Sequence, residues 1–408
     1  MKNNLLLIIT HCLIATSSCI AMESELNFTK WCPFEKPKII SEITCVEQPW
    51  QAEYLDEDRV LINGVNGCYI INPTTNGTIE KLDIQTSYGV QAPPFTIHPT
   101  KKTIAFSGKN SAIYSNTGKL ENLIPIRSSQ LAFDPLNNHL LINKNQSVTN
   151  EIVIYDYTKN ENKNFKGSIP LIAFHPTKKI LFQYQSPSHN LKSKIEIYNS
   201  TTLEKEKEIT LINPESYAAH MLCNLDGSLI AVQDANNDYI YIIKNYESDP
   251  VTHRITLPTL IEYPFNQTEC ATFRQSHYGK VISMIFHPNS SVLATSMRVD
   301  SDSNYTYYNS LIIFYWDVTT QQLITKTQPF PYAPSQNRDE NNIAFSPNGT
   351  KLLIVLYDKC IILPVPVEVL ITKSFYTWFL LKEGLNQHNI QTDVYEVIGW
   401  YLLETFKR

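Results

Sequence analysis

The sequence is short of glycine, of charge and of long apolar runs, and each shortage excludes a class of protein. Only 12 of its 408 residues are glycine, which excludes collagen-like and glycine-rich low-complexity chains. Charged residues make up 18% of the chain, too few for a disordered protein. No long basic block occurs and the formal net charge is −5, which argues against nucleic acid as a partner. Beyond the N-terminus, no window is long and apolar enough to span a membrane.

Catalytic and metal-binding motifs are also absent. The chain has no G-x-S-x-G, no H-E-x-x-H, no Walker loop and no complete calcium loop. The cysteines form no C-x-x-C pair, which argues against a zinc site. Asp300, Asp302 and Asn304 imitate the start of a calcium loop, but the required glycine and glutamate do not follow. We therefore expect no enzyme, no catalytic residue, no metal and no cofactor.

Residues 1–21 have the pattern of a secretory signal peptide. Lys2 supplies the positive end, an apolar run follows over residues 5–15, and Cys19-Ile20-Ala21 is a small-x-small cleavage site. The alternatives are a buried helix, an uncleaved anchor and a lipid attached at Cys19. Cleavage predicts an exported protein, periplasmic or secreted, that begins with an N-terminal extension over residues 22–36.

Six cysteines remain after such cleavage, and their surroundings separate them into groups. Cys32 and Cys45 are close enough in sequence to form a disulfide in an oxidising compartment. Cys68, Cys223 and Cys360 lie in apolar, strand-like runs, which favours buried free thiols. The sequence assigns no role to Cys270.

One pattern repeats along the chain: an apolar strand, a polar turn of about five residues and a second apolar strand. Proline recurs in five copies of this turn, where its fixed φ suits the turn but not a central strand. These prolines are Pro99, Pro135, Pro176, Pro288 and Pro347. The copies lie at residues 95–106, 131–142, 171–182, 220–231, 283–294 and 342–354, with a weaker seventh at 52–62.

A third strand follows in most copies and ends in Asp or Asn near a threonine, residues that can bond the backbone of a tight turn. Examples are IYDYTKN (154–160) and YWDVTTQQ (315–322). A fourth, more polar strand follows, such as LEKEKEITL (203–211). Seven such units predict an all-β fold, a seven-bladed β-propeller of four-stranded antiparallel blades over residues 37–367.

The stretch from Ser276 to Asp317 resembles the WD-repeat family. It combines an upstream His277, an F-x-P turn and the Trp316-Asp317 pair at a strand end. The other copies replace Trp-Asp by Tyr-Asp, Tyr-Asn or Ile-Asn, so the resemblance is to a divergent member. Exported bacterial propellers of the Tol periplasmic type share the F-x-P-x-G turn and are the other possibility. Either resemblance implies a ring that presents loops to a partner.

The two ends of the repeat array predict how the ring closes. The seventh unit has three strands and no convincing fourth, whereas residues 38–46 resemble a strand with nothing to pair with. We expect this N-terminal segment to complete the last blade, because closure removes the exposed edge. Beyond the ring, residues 368–408 change period and predict a C-terminal helical hairpin, either packed on the propeller or acting as an adaptor that docks elsewhere.

Three His-Pro pairs are the only feature that suggests a metal. They contain His98, His175 and His287. Because these residues occupy equivalent repeat positions, a ring would separate them onto different blades. We therefore expect them to form local hydrogen bonds in their turns.

Long connections predict the binding surface. Loops lengthen at residues 186–193, 258–280, 298–309 and 328–341, and the last three flank the sixth blade. Aromatic residues with arginine are typical of interface hot spots. The alternative is that these loops have lengthened without a function, because surface loops tolerate insertions. The predicted partner-binding residues are Tyr263, Phe265, Arg274, Arg298, Tyr305, Tyr307, Tyr308, Phe330, Tyr332 and Arg338.

These observations favour a non-enzymatic, monomeric scaffold that binds a protein or peptide. A polysaccharide-binding propeller, with tyrosines stacked on sugar rings, is one alternative. A propeller hydrolase or lyase with its site in the central funnel is the other, and the sequence shows no cluster of acids, bases or metal ligands for it.

Overall fold

Seven four-stranded units make up the described part of the chain. The computed structural model describes residues 39–370, with gaps at 45, 76, 85–93, 101–102, 129, 146–149, 166–170, 186–192, 212–217, 235–238, 258–279, 289–290, 300–308, 328–329, 333–342 and 357. Residues 37–365 form one compact unit, and the described residues beyond it belong to a second.

The strands of the first four blades follow one another in chain order. An N-terminal strand, β1 (Ser41–Ile43), precedes them. Blade one contains β2 (Pro49–Tyr54), β3 (Val60–Gly64), β4 (Gly67–Asn72) and β5 (Gly77–Leu82). Blade two contains β6 (Phe95–Ile97), β7 (Ile104–Phe106), β8 (Ser111–Tyr114) and β9 (Leu120–Ile124). Blade three contains β10 (Gln130–Phe133), β11 (His139–Asn145), β12 (Asn150–Asp156) and β13 (Glu161–Phe165). Blade four contains β14 (Ile172–Phe174), β15 (Ile180–Gln185), β16 (Lys194–Asn199) and β17 (Lys205–Thr210).

The last three blades follow the same plan. Blade five contains β18 (Ala218–Cys223), β19 (Leu229–Asp234), β20 (Tyr239–Lys244) and β21 (Val251–Thr256). Blade six contains β22 (Lys280–Phe286), β23 (Val292–Val299), β24 (Asn309–Asp317), β25 (Gln322–Lys326) and a short β26 (Phe330–Tyr332). Blade seven contains β27 (Ile343–Phe345), β28 (Lys351–Val355) and β29 (Cys360–Pro364).

Neighbouring strands within each blade are antiparallel, and the first strand of each blade lies innermost. The first strands of successive blades contact one another around the ring, including β2 with β27 and β22 with β27. The predicted fold class, a seven-bladed propeller of four-stranded antiparallel sheets, is therefore confirmed.

The ring closes through its N-terminal strand. The outer edge of β29 pairs with β1, with Ser41 opposite Ile362 and Ile43 opposite Cys360. The Ile40 amide donates to the Ile362 carbonyl at 2.8 Å. The prediction that residues 38–46 complete the last blade is confirmed, with the paired strand confined to its middle.

The core lies between the blades, because side chains alternate across each sheet. In β19, Leu229 and Ala231 join an apolar cluster with blade six. The intervening Ile230 and Val232 join a cluster with blade four. This period of two is the pattern expected of a strand buried on both faces.

The outermost strands carry the charge, as the polar composition of residues 203–211 predicts. On blade four, the Glu196 carboxylate contacts Lys205 Nζ at 2.7 Å and Lys194 Nζ at 2.9 Å. Burial alone would raise the pKa of Glu196, but hydrogen bonds from these lysines and from Tyr198 outweigh it and lower the pKa to about 2. The outer edge of this blade is thus an ion-pair network.

The cysteines that can be described are free thiols. Cys68 and Cys360 are buried, and Cys223 is partly buried. Burial raises the pKa of the Cys223 thiol to about 12, so this thiol stays protonated at neutral pH. The predicted free thiols are confirmed, whereas Cys32, Cys45 and Cys270 lie outside the described residues.

The described chain ends in one helical turn, α1 (Val367–Leu370). The remainder of the predicted C-terminal helical hairpin and the predicted signal peptide lie outside the described residues. Among the residues that are described, no helix combines the length and the apolar character needed to cross a membrane.

Candidate functional site

The antiparallel plan gives the ring two distinct faces. The turns between first and second strands and between third and fourth strands emerge on one face, here called the lower face. The loops between second and third strands emerge on the other, the upper face, together with the connections between blades. The long loops predicted from the sequence all belong to the upper face.

The third strand of the sixth blade is longer than the third strands of blades one and four. β24 has nine residues, whereas β4 and β16 have six. All three strands end at an Asp or Asn that caps the lower turn, namely Asp317, Asn72 and Asn199. At about 3.3 Å per residue, three extra residues extend β24 by about 10 Å toward the upper face.

The outer edge of this extension is a strand where the sequence predicted a loop. Residues 328–341 were expected to form an irregular connection, but Phe330 pairs with Leu311 and Tyr332 pairs with Asn309. Between β25 and β26, the Thr327 side chain accepts the Ile313 amide at 3.0 Å, and its own amide donates to the Ile313 carbonyl. The chain can therefore follow the full length of β24, with Pro331 on an outer edge where proline is tolerated.

Three of the ten predicted partner-binding residues lie in this extension. Arg298 is in β23 rather than in a loop, and it pairs with Leu311. On the opposite edge of β24, Phe330 in β26 pairs with the same Leu311. Tyr332 lies two positions further along β26 and pairs with Asn309. The Phe330 side chain is half-buried, while Leu311 is fully buried. The other seven lie outside the described residues: Tyr263, Phe265, Arg274, Tyr305, Tyr307, Tyr308 and Arg338.

The lower end of β24, opposite the extension, is fixed by Trp316. Its indole Nε1 donates to Thr295 Oγ1 at 3.0 Å, and its ring stacks on Phe314 with centroids 6.0 Å apart. Thr295 and Phe314 are fully buried and Trp316 nearly so. The hydrogen bond joins the second and third strands of the blade where they pack against blade five.

Replacing Thr295 with valine tests this anchor. Thr295→Val keeps the shape but leaves the buried indole N–H without its acceptor, so the free energy of unfolding should fall by about 1–3 kcal/mol. Chemical denaturation measures the loss. Thr210→Val, on the exposed face of an outer strand, is the matched control and should change stability little. An equal effect of both substitutions would show that the Trp316 bond does not anchor the blade.

The Asx-Thr pairs at the ends of the third strands cap the lower turns, as predicted. Asp156 Oδ1 accepts the Thr158 and Lys159 amides at 3.0 and 3.1 Å. Asp317 Oδ1 accepts the Thr319 amide at 2.8 Å. Asp317 is thus one of several Asx residues that cap the lower turns between third and fourth strands. The hydrogen bonds of Trp316 and Asp317 join groups within blade six.

The three histidines of the His-Pro pairs lie in separate blades, at the lower turns. His98 Nδ1 accepts the Thr100 amide at 3.2 Å, and His175 Nδ1 accepts the Thr177 amide at 3.0 Å. His287 lies 2.9 Å through Nε2 from the Gly349 carbonyl. The prediction of local hydrogen bonding is confirmed for His98 and His175, whereas the Gly349 partner of His287 lies in the turn of blade seven. Within the described ranges, no group of three or more His, Cys, Asp or Glu is placed to hold a metal ion.

Comparison with known proteins shows similarity in fold only. No protein-family profile and no curated protein sequence matches the chain. Among solved structures, hydrazine synthase of Kuenenia stuttgartiensis superposes with a TM-score of 0.56 at 11% identity, over 83% of this chain and 99% of that chain. The Cps50 (Swd1) β-propeller domain of Myceliophteria thermophila superposes with a TM-score of 0.59 at 11% identity, over 81% of this chain and 100% of that chain. The propeller fold is shown, and the WD-repeat resemblance stays a prediction.

Proposed function

We propose that the protein is a non-enzymatic scaffold that holds a protein or peptide partner on the upper face of its sixth blade. The observation that carries the proposal is the extension of β23, β24 and β26 toward that face. A paired, three-stranded extension is a firm base for loops, and binding residues are held best when they are mounted on rigid elements.

The composition around this extension supports a protein partner. The ten predicted residues are all aromatic or arginine, the types that dominate interface hot spots. Phe330 provides a half-buried aromatic at the outer edge. In the same proposal, residues 1–21 direct export, and the mature propeller acts in the periplasm or outside the cell.

Capture of partners by the immobilised full-length protein tests the site. We expect the triple variant Tyr307→Ala, Tyr308→Ala, Tyr332→Ala to lose at least about tenfold of its partner, since removing one hot spot costs about 2 kcal/mol or more. Quantitative mass spectrometry of proteins retained from the native compartment measures the loss, with the melting temperature as a check on folding.

The matched control removes aromatic rings from other blades. Tyr69→Ala and Tyr239→Ala act on third strands of blades one and five, where the rings contact Lys81 and Arg254. This double variant should retain the partner. Equal retention by the triple variant would refute the sixth-blade site, and selective loss of a glycan on a carbohydrate array would identify the polysaccharide alternative.

A further inference from the structure

The lower turn between first and second strands is capped by a side-chain acceptor whose chemistry varies from blade to blade. In blade four, His175 Nδ1 accepts the Thr177 amide at 3.0 Å and the Lys178 amide at 2.9 Å. In blade three, Asp134 Oδ1 accepts the two equivalent amides at 2.9 and 3.3 Å. In blade five, Asn224 Oδ1 accepts a different amide, that of Leu229 at the start of β19, at 2.8 Å. The imidazole of blade four therefore does what a carboxylate does in blade three.

Two of the histidine rings also reach the turn of the next blade. A Cβ placed on Gly227 of blade five would lie 2.0 Å from His175 Nε2. A Cβ placed on Gly349 of blade seven would lie 2.4 Å from His287 Nε2. The two glycines occupy equivalent turn positions, with φ of +77° and +75°. Each ring thus fills the space that a glycine of the following blade leaves open.

The Gly349 carbonyl can only accept a hydrogen bond, so His287 Nε2, 2.9 Å away, must donate, which both the neutral and the protonated ring can do. The cap made by His175 instead requires a neutral ring with its hydrogen on Nε2. His175 Nδ1 accepts two backbone amides, so it carries no hydrogen. Protonation would place a second hydrogen on Nδ1, directed at those amide hydrogens, and would end the cap. A carboxylate or an amide at the same position has no such change near neutral pH.

We propose that His175 forms a pH-sensitive latch on the lower face, which is closed when its ring is neutral and loosened by acid at the junction of blades four and five. The turn of blade three, which Asp134 caps, has no such latch. Acidification would therefore open the junction of blades four and five before the rest of the ring.

The surroundings of both rings favour the neutral form. Burial, together with the nearby Lys178, lowers the pKa of His175 and outweighs the opposing effect of Glu247 and Asp226 on blade five. Burial also lowers the pKa of His287, against the smaller effect of the Gly349 carbonyl, and the Phe345 ring packs against it edge-on at 5.0 Å. A lowered pKa in the folded state means that the unfolded chain binds protons more readily. The stabilisation is thus complete above pH 6.5 and is lost as the pH falls through the folded pKa.

Thermal unfolding between pH 7.5 and pH 5.0 tests the latch. The variant His175→Asn keeps a side-chain acceptor in the turn, but it cannot titrate in this range. We expect the melting temperature of the wild type to fall by about 3 °C or more beyond that of this variant over this window. His253→Asn, whose ring contacts Gln321 and caps no turn between first and second strands, should follow the wild type. If His175→Asn shows the full pH dependence of the wild type, the proposal is overturned.

Hydrogen exchange in the wild type gives a second test that needs no substitution. Corrected for the intrinsic exchange rate, protection of the Thr177 and Lys178 amides should drop between pH 7.5 and pH 5.0, because the protonated ring no longer accepts their hydrogen bonds. The Leu136 and Asn137 amides, which Asp134 caps, should keep their protection. Constant protection at Thr177 and Lys178 would also overturn the proposal.

Discussion

A chain that begins at residue 48 should lose cooperative unfolding, whereas a chain that begins at residue 38 should keep it. The shorter chain lacks β1 and so leaves the edge of β29 unpaired from Cys360 to Ile362. It also lacks Ile43 and Val46, which are each 1% exposed and pack between blades seven and one. Losing one such buried aliphatic side chain costs about 2–5 kcal/mol, so losing both together with the strand should remove an amount comparable to the whole stability of a typical domain, about 5–15 kcal/mol.

Circular dichroism and calorimetry of the two chains measure this effect. A synthetic peptide covering residues 38–47 should restore part of the transition when added to the shorter chain, because it supplies the missing strand. Its scrambled counterpart should not. If the chain that begins at residue 48 melts like the longer one, the pairing of β1 with β29 does not hold the ring closed.

The second large effect is expected from Gly227→Ala. A left-handed φ costs a non-glycine residue about 1–2 kcal/mol, and overpacking against a buried group adds about 1–3 kcal/mol. The added Cβ would overlap the His175 ring, with atoms 2.0, 2.1 and 2.8 Å away. We therefore expect a loss of about 3 kcal/mol in the free energy of unfolding, measured by chemical denaturation.

Gly67→Ala is the matched control for this substitution. Gly67 also has a positive φ, of +127°, but its new Cβ would meet at 3.3 Å only the end of the exposed, flexible Lys81 side chain. It should therefore show mainly the backbone cost. Combining Gly227→Ala with His175→Ala should give a smaller loss than the sum of the two single variants, since the overlap is then gone. Strict additivity would mean that the ring and the turn do not interact.

The repeat pattern was sufficient to predict the fold, because each blade carries its own local signals. Pro176 marks a lower turn, Asp156 and Asp317 cap others, and alternation along β19 marks a strand buried on both faces. Closure was predictable from a missing strand at one end of the array and a spare one at the other. Each of these features is either local in the sequence or follows from counting the strands in the repeat units.

The details of the candidate site were less predictable, because they depend on pairing between distant segments. Pro331 made residues 328–341 resemble a loop, and β26 is a strand only because β24 extends far enough to pair with it. Arg298 likewise lies in a strand only because β23 and β24 form a long hairpin, in which Arg298 pairs with Leu311. The contact of His175 with Gly227 is not visible in either turn alone, since it is made across two blades.

The pairing of β1 with β29 also decides where the chain enters and leaves the propeller. Ser41 lies opposite Ile362, so the first strand starts beside the last one's end, at the lower side of blade seven. A short linker between these two ends of the propeller would give a circular permutant, which could be opened at a connection between two blades so that each blade keeps its four strands on one continuous chain.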